Sequence, residues 1–216
     1  MSRCLIPPFE ESQPTKYTEI KPSSSKIAQY QPHRYIYIYD NDYFAYLANL
    51  EGWPGNGTPS APFIIEGLRI TTPSHRCAIE IVDVDVYFQI RHCMILGGYH
   101  QLGGGIELSR VQNGRIFNNI INYTRRTGIS LYLSRETTLE NNTISNNGNM
   151  GIEVASCSNI FLSGNKINNN SATGIRLYHS GYCTLLHNTV TNIHGRGIHL
   201  SDSANSTVFN NTVTNT

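Results

Sequence analysis

Gly151-Ile-Glu-Val-Ala-Ser-Cys-Ser-Asn-Ile-Phe-Leu-Ser-Gly-Asn-Lys-Ile-Asn-Asn-Asn-Ser-Ala-Thr173 runs straight into Gly174-Ile-Arg-Leu-Tyr-His-Ser-Gly-Tyr-Cys-Thr-Leu-Leu-His-Asn-Thr-Val-Thr-Asn-Ile-His-Gly-Arg196. The two stretches are equally long, and their apolar residues fall at the same offsets. The pattern extends both ways. Gly-Ile recurs at Gly105, Gly128, Gly151, Gly174 and Gly197, each 23 residues after the last and with no insertion. A self-similar period in this range marks a solenoid, in which each repeat buries its apolar face only against its neighbours.

Aligned, the repeats form columns. Two residues beyond each Ile stand Leu108, Leu131, Val154, Leu177 and Leu200. Further on come Ile116, Leu139, Leu162, Leu185 and Val208, then Ile121, Ile144, Ile167, Val190 and Val213. Between these last two columns runs a file of Asn119, Asn142, Asn165, Asn188 and Asn211. Gly-Ile-x-Leu-x is apolar at every second residue, which is strand periodicity. Leu-x-x-Asn-x-Ile reads as two short strands hinged at the asparagine, a residue that tolerates the left-handed backbone of a tight corner. Amides stacked in this way hydrogen-bond along the column.

A leucine-rich repeat also has a period in the twenties and an asparagine column, but it needs a leucine five residues before the asparagine. Here that position holds Gly114, Thr137, Ile160, Cys183 and Ser206. The return segments, such as Asn-Asn-Gly-Asn-Met, are turn formers. The pattern predicts an all-β fold: a single-stranded parallel β-helix in which each 23-residue repeat is one turn of three short strands and three corners.

Composition agrees with close stacking. Charged residues make up 14% of the 216-residue chain and the formal net charge is +1. Asn, Ser and Thr fill the surface, since like charges in one column repel. With no basic run, nucleic acid is excluded as a partner. No apolar run is long enough to span a membrane, and the first residues lack the apolar core of a signal peptide. The five cysteines, Cys4, Cys77, Cys93, Cys157 and Cys183, show no metal-type spacing and read as buried free thiols.

Taken in order, residues 1–30 are a Pro-, Ser-, Lys- and Glu-rich tail or strap. Residues 31–58 form a strand-and-helix cap: Tyr35–Tyr39 alternates like a strand, Asn41 and Asp42 supply capping side chains, and Tyr43–Leu50 is a short amphipathic helix stopped at Gly52. The β-helix occupies residues 59–216. Leu68 takes the asparagine column of its first, irregular turn, and Cys93 takes it in the second. That second turn carries one extra residue near Asp83–Asp85.

The loop Gly55-Asn-Gly-Thr-Pro-Ser-Ala-Pro-Phe-Ile-Ile-Glu-Gly-Leu-Arg-Ile70, with the Gly-Ile-x-Leu and Leu-x-x-Asn-x-Ile turns after it, resembles the NosD-like right-handed parallel β-helix family. The resemblance covers residues 35–216. It places the chain near the pectate lyases, in a superfamily of carbohydrate-binding and sugar-hydrolysing repeats. It implies right-handed coiling, substrate along the outer face of one sheet, and an extracellular or cell-surface setting. It also brings in copper handling, because the family is named for a periplasmic protein that assists copper-site assembly. Uronate epimerases of the superfamily carry Asp-Pro-His-Asp, which this chain lacks.

In Gly-Ile-x-Leu-x the variable positions point outward. The first column reads Glu80, Glu107, Ser130, Glu153, Arg176, His199, and the second Val82, Ser109, Tyr132, Ala155, Tyr178, Ser201. The corner position reads Asp83, Arg110, Leu133, Ser156, His179, Asp202. With turns about 4.8 Å apart, Glu153, Arg176 and His199 form a file in which each can touch the next, and His179 lies beneath Asp202. Tyr132 and Tyr178 offer two aromatic platforms about 10 Å apart, and Arg176 can grip a uronate carboxylate. These five residues, Tyr132, Glu153, Arg176, Tyr178 and His199, are the candidate polysaccharide-binding set. Glu153, or His179 oriented by Asp202, is the candidate acid or base, and an enzyme of this kind would be a polysaccharide lyase or glycoside hydrolase. The alternative is a non-catalytic structural or interaction solenoid, with Glu153–Arg176 a surface ion pair worth about 0–1 kcal/mol. His92, His100, His179, His187, His194 and His199 fall in different columns, so no metal or cofactor is expected. The last turn starts at Gly197 with nothing after it to act as a cap, which predicts an exposed strand edge and either a natural chain that continues or a homodimer through that end.

Overall fold

A computed structural model of the chain describes residues 30–72, 76–97 and 103–216. The tail of residues 1–29, with Cys4, and His100 lie outside the described residues.

The chain winds as a parallel β-solenoid with three sheets. The front sheet stacks β2 (Ile36–Ile38), β5 (Ile79–Val82), β8 (Ile106–Ser109), β11 (Ile129–Tyr132), β14 (Ile152–Ala155), β17 (Ile175–Tyr178) and β20 (Ile198–Ser201). The side sheet stacks β3 (Phe63–Glu66), β6 (Phe88–Arg91), β9 (Gly114–Phe117), β12 (Thr138–Glu140), β15 (Phe161–Ser163), β18 (Thr184–Leu186) and β21 (Thr207–Phe209). The third, the ladder sheet, stacks β1 (Gln31–His33), β4 (Leu68–Thr71), β7 (Met94–Leu96), β10 (Ile120–Asn122), β13 (Thr143–Ser145), β16 (Lys166–Asn168), β19 (Thr189–Thr191) and β22 (Thr212–Thr214). All of these strand pairs are parallel, and the regular turns keep a strict register. Ile129 faces Ile152, Ser130 faces Glu153, and Tyr132 faces Ala155. Ile, Leu and Val from every turn meet inside as one continuous core, with Ile129, Leu131, Leu139 and Ile144 all fully buried.

Corners need one residue with positive φ, because a single left-handed residue bends an extended chain sharply. After the front strands these are Asp83, Arg110, Leu133, Ser156, His179 and Asp202, with φ between 48° and 55°. Between side and ladder strands they are His92, Asn118, Asn141, Gly164, His187 and Asn210. This corrects the hinge expected at the ladder asparagines, since the left-handed residue is the one just before each of them. The ladder asparagine is released to turn inward.

Its side chain is then fully used. Asn142 Nδ2 donates to Asn165 Oδ1 at 3.0 Å and to the Ile116 carbonyl at 2.9 Å, while its backbone N–H donates to the same Oδ1 at 3.1 Å. The scheme repeats from Asn119 through Asn211. Cys93 opens the file, its backbone N–H donating to Asn119 Oδ1 at 2.9 Å. Each corner thus leaves an inward N–H that needs an acceptor, and the next turn supplies it.

The other corners solve the same problem with stacks that the column reading passed over. At the turn back to the front sheet, Thr124, Asn147 and Asn170 form a second stack, with Asn147 Nδ2 3.0 Å from Asn170 Oδ1. After the front strands, Ser134, Cys157, Ser180 and Ser203 accept from the turn before, Cys157 N donating to Ser180 Oγ at 3.0 Å. Cys77, Cys93, Cys157 and Cys183 are buried and unpaired, and burial pushes the Cys93 and Cys157 thiols up to about 11.

The glycine column answers to space. A Cβ on Gly151 would lie 2.4 Å from Ile167 Cγ2 and 2.7 Å from the Gly174 carbonyl, and Gly128, Gly174 and Gly197 are as tight.

Helix α1 (Asn41–Glu51) leaves the solenoid between β2 and β3 and folds over its first rung, so β1 and β2 are already strands of the sheets. Its cap is Asp40, whose carboxylate accepts from Tyr43 N at 2.7 Å. Asn41 instead ties the helix to the corner at Asp85 and Val86. Phe44 buries against Phe63, with ring centroids 4.8 Å apart. At the opposite end, Leu200, Val208 and Val213 are exposed, whereas Leu177, Leu185 and Val190 one turn earlier are fully buried.

Candidate functional site

The front sheet places Tyr37, Glu80, Glu107, Ser130, Glu153, Arg176 and His199 in one outward file, by direct strand register. Val82, Ser109, Tyr132, Ala155, Tyr178 and Ser201 form the parallel file beside it.

In the C-terminal half, the files interlock. Tyr132 Oη donates to Glu153 Oε2 at 3.0 Å, and Arg176 Nη1 lies 3.5 Å from Glu153 Oε1. Burial and the neighbouring Glu153 carboxylate push the Tyr132 hydroxyl up to about 12. Arg176 lies over the Tyr178 ring, 4.8 Å from its centroid, and its Nε is buried without a partner among the described residues. Ala155 is the register partner of both Tyr132 and Tyr178, so a small side chain stands between the two tyrosines in this file. Five of the expected residues are thus brought to one face, but with two departures. His199 does not continue the Glu153–Arg176 contact; its Nε2 lies 2.6 Å from Arg196 Nη1, because Arg196 reaches over from the preceding return loop. His179 Nδ1 and Asp202 Oδ2 stand 3.8 Å apart on exposed side chains, while Asp202 accepts from Ser201 at 3.1 Å. Tyr178 packs its edge on His179, 3.9 Å between centroids.

In the N-terminal half, the same sheet carries a cleft of about 380 Å³ lined by Arg76, Cys77, Glu80, Glu107 and Arg126. Glu80 and Glu107 are register partners on adjacent strands. Cys77 Sγ donates to Glu107 Oε2 at 3.4 Å, and Arg76 lies 3.7 Å from Glu80. Arg76 also sits over the Tyr37 ring, 4.8 Å from its centroid. Burial first and Glu107 second raise the Glu80 carboxyl above the usual range, against the pull of Arg76. Burial and Glu107 push the Cys77 thiol up to about 12. The sequence columns showed the two glutamates, but Arg76 and Cys77 come from the irregular segment before β5, and Arg126 from the return loop of the first regular turn, outside the outward columns. Nearby, Tyr37, Tyr39, Tyr43 and Tyr46 form a chain of ring contacts between β2 and α1. Among the described residues, no three His, Cys, Asp or Glu converge as metal ligands, and no helix is long and apolar enough to cross a membrane.

A parallel β-solenoid with one charged, tyrosine-bearing outer sheet is the class these observations define. A family model described as "Right handed beta helix region" matches residues 57–216, and the chain belongs to that family; its coil is the right-handed form. Among solved structures, a double mutant of the periplasmic alginate epimerase AlgG is similar at a TM-score of 0.53 and 16% identity, over 70% of this chain and 45% of that one. The A-module of the mannuronan C-5 epimerase AlgE6 from Azotobacter vinelandii matches at 0.43 and 14% identity, over 70% of this chain and 58% of the module. The enzymatically active domain of tailspike protein 2 from bacteriophage CBA120 matches at 0.41 and 13%, over 68% of this chain and 32% of that domain. The chain therefore spans less than half the length of the AlgG structure. No curated protein matches the sequence.

Proposed function

We propose that the protein binds an acidic polysaccharide along the outer face of the front sheet. The observation that carries this reading is Arg176: it stacks on Tyr178, touches Glu153 only at 3.5 Å, and has a buried Nε without a partner. A guanidinium held on an aromatic ring and incompletely paired is prepared for a carboxylate, which it binds bidentately. The gap over Ala155 between Tyr132 and Tyr178 accepts a sugar ring edge-on, its C–H face against the tyrosines. Glu153, engaged by Tyr132 and Arg176, positions both and accepts from sugar hydroxyls. The polysaccharide-acting proteins among the structural neighbours and the NosD-like sequence resemblance support the same class of ligand. The absence of Asp-Pro-His-Asp sets the chain apart from the epimerases by motif. Affinity electrophoresis through gels containing polygalacturonate, alginate or hyaluronan tests the reading. Arg176→Ala is expected to weaken retardation at least tenfold more than Arg125→Ala, which alters an exposed return loop. Equal effects, or no retardation of the wild type, favour a structural solenoid.

A further inference from the structure

The cleft at the N-terminal end of the front face holds charges of both signs that do not neutralise one another. It is a concavity of about 380 Å³ lined by Arg76, Cys77, Glu80, Glu107 and Arg126. Glu80 and Glu107 face outward from the neighbouring strands β5 and β8, and Arg126 comes from the return loop ahead of β11. We propose that this cleft binds a free amino acid as its zwitterion, the ammonium held by Glu107 and Glu80 and the carboxylate by Arg126. The inference goes beyond the polysaccharide reading and shares no residue with it, since Tyr132, Glu153, Arg176 and Tyr178 lie outside the cleft lining.

The charge balance of the two carboxylates carries the first half. Glu107 is only partly exposed and forms no ion pair among the described residues, so its charge is both poorly hydrated and unpaired. Its partner in the cleft is the Cys77 thiol, which donates to Oε2 at 3.4 Å. Burial and Glu107 push that thiol up to about 12, so it stays neutral and brings no charge. Arg76 lies 3.7 Å from Glu80 and also over the Tyr37 ring, 4.8 Å from its centroid. One guanidinium thus stands against two carboxylates. Glu80 registers the deficit: burial first and Glu107 second raise its carboxyl, against the pull of Arg76. A ligand ammonium, with three N–H donors and a full positive charge, makes good what is missing.

Arg126 supplies the second half. It lines the same hollow and forms no ion pair among the described residues, and a guanidinium takes a carboxylate through two parallel N–H donors. A simple cation or a polyamine answers only the glutamates and is repelled by Arg76 and Arg126. A simple anion answers only the arginines and is repelled by the glutamates. A molecule carrying both charges satisfies the two ends together. The hollow is at the small end of the range of ligand pockets, which suits an amino acid better than a peptide.

Titration calorimetry on the whole chain near neutral pH, with glycine, alanine, serine, aspartate, lysine and phenylalanine in turn, tests the proposal. At least one is expected to bind with a Kd of about 1 mM or tighter. The matching amine without the carboxylate (ethanolamine for serine) and the matching acid without the ammonium should each bind at least about tenfold more weakly. That comparison needs the wild type alone. Glu107→Gln should weaken the amino acid and the amine alike by at least about tenfold. Arg126→Gln should weaken the amino acid by a similar factor and leave the amine unchanged, with both variants melting at the wild-type temperature. No binding of any of the six amino acids overturns the inference. An amine that binds as tightly as its amino acid overturns it as well, because the anion seat is then idle. An amino acid held equally by the wild type and both variants also overturns it, because the ligand then sits elsewhere.

Discussion

From β11 to β20 the front face is made by the repeat itself, whereas from β2 to β8 it is framed in part by residues the repeat does not contain. In the first region successive turns are 23 residues apart, and outward side chains meet across them: Tyr132 with Glu153, Glu153 with Arg176. In the second, Ile79 pairs with Ile106, 27 residues on, and helix α1 interrupts the turn before it. The longer connections bring Arg76 and Cys77 alongside Glu80 and Glu107, and a concavity appears. The difference teaches a general point about solenoids. Strict repetition lines outward groups up in files, with Arg176 left incompletely paired in one of them, while the concavity at Glu80 and Glu107 arises where the period is broken.

The comparison can be pressed hardest in the interior. Asn165→Leu removes an amide bonded above and below and leaves the Asn142 N–H groups and the Leu139 carbonyl without partners, an expected loss of about 1–3 kcal/mol in urea unfolding. Cys93→Ala, at the same column in the irregular turn, removes one buried sulfur and keeps its own N–H bond to Asn119. It should cost about 1 kcal/mol, as for the loss of one buried apolar group. Equal costs at the two sites would mean that the amides add nothing beyond filling space.

Gly151→Ala is expected to cost about 1–3 kcal/mol through overpacking, since its new methyl meets a backbone carbonyl and a buried Ile167. Gly104→Ala should cost less, because the nearest atom, Cys77 Sγ at 2.9 Å, sits on a side chain that can rotate. Thermal melts of the two variants decide it.

The period, the asparagine file, the core columns, the helical cap and the extra residue between β5 and β6 were legible because each is set by residues repeated at fixed offsets or by local capping chemistry. The corners after the front strands, Asp83 to Asp202, were legible as a column too, but the left-handed residues between side and ladder strands were not. His187, Gly164 and Asn141 share a column without sharing a residue type, because inter-turn hydrogen bonds hold the left-handed backbone whatever the side chain. The Thr124–Asn147–Asn170 stack was missed because it spans three turns and ends at Ile193. On the front face, the file of Glu153 and Arg176 could be read from spacing. The diversion of His199 to Arg196 could not, because it depends on how a long side chain crosses from a loop. The cleft was half legible: Glu80 and Glu107 stood in the column, while Arg76 and Cys77 came from an irregular segment and Arg126 from a return loop outside the outward columns.

A smaller effect is read by pH at Glu80. The raised Glu80 carboxyl means that the fold binds its proton more tightly than the unfolded chain does. Its contribution to stability is present at low pH and is lost as pH rises above the usual carboxylate range and through the folded value. Glu80→Gln should therefore gain in melting temperature relative to the wild type between about pH 4 and 7, by less than about 2 °C. A flat difference for Glu80→Gln would show that Arg76 compensates it fully.

The central claim is that the front face takes up an acidic polysaccharide through the gap between its tyrosines. Gel retardation in polygalacturonate, alginate and hyaluronan, run with the wild type beside a Tyr132→Ala, Tyr178→Ala double variant, tests it most directly. The account predicts retardation of the wild type in at least one of these polymers and a loss of at least about tenfold in the double variant, equivalent to about 1.4 kcal/mol, at an unchanged melting temperature. Wild type and double variant migrating alike in all three gels would contradict it.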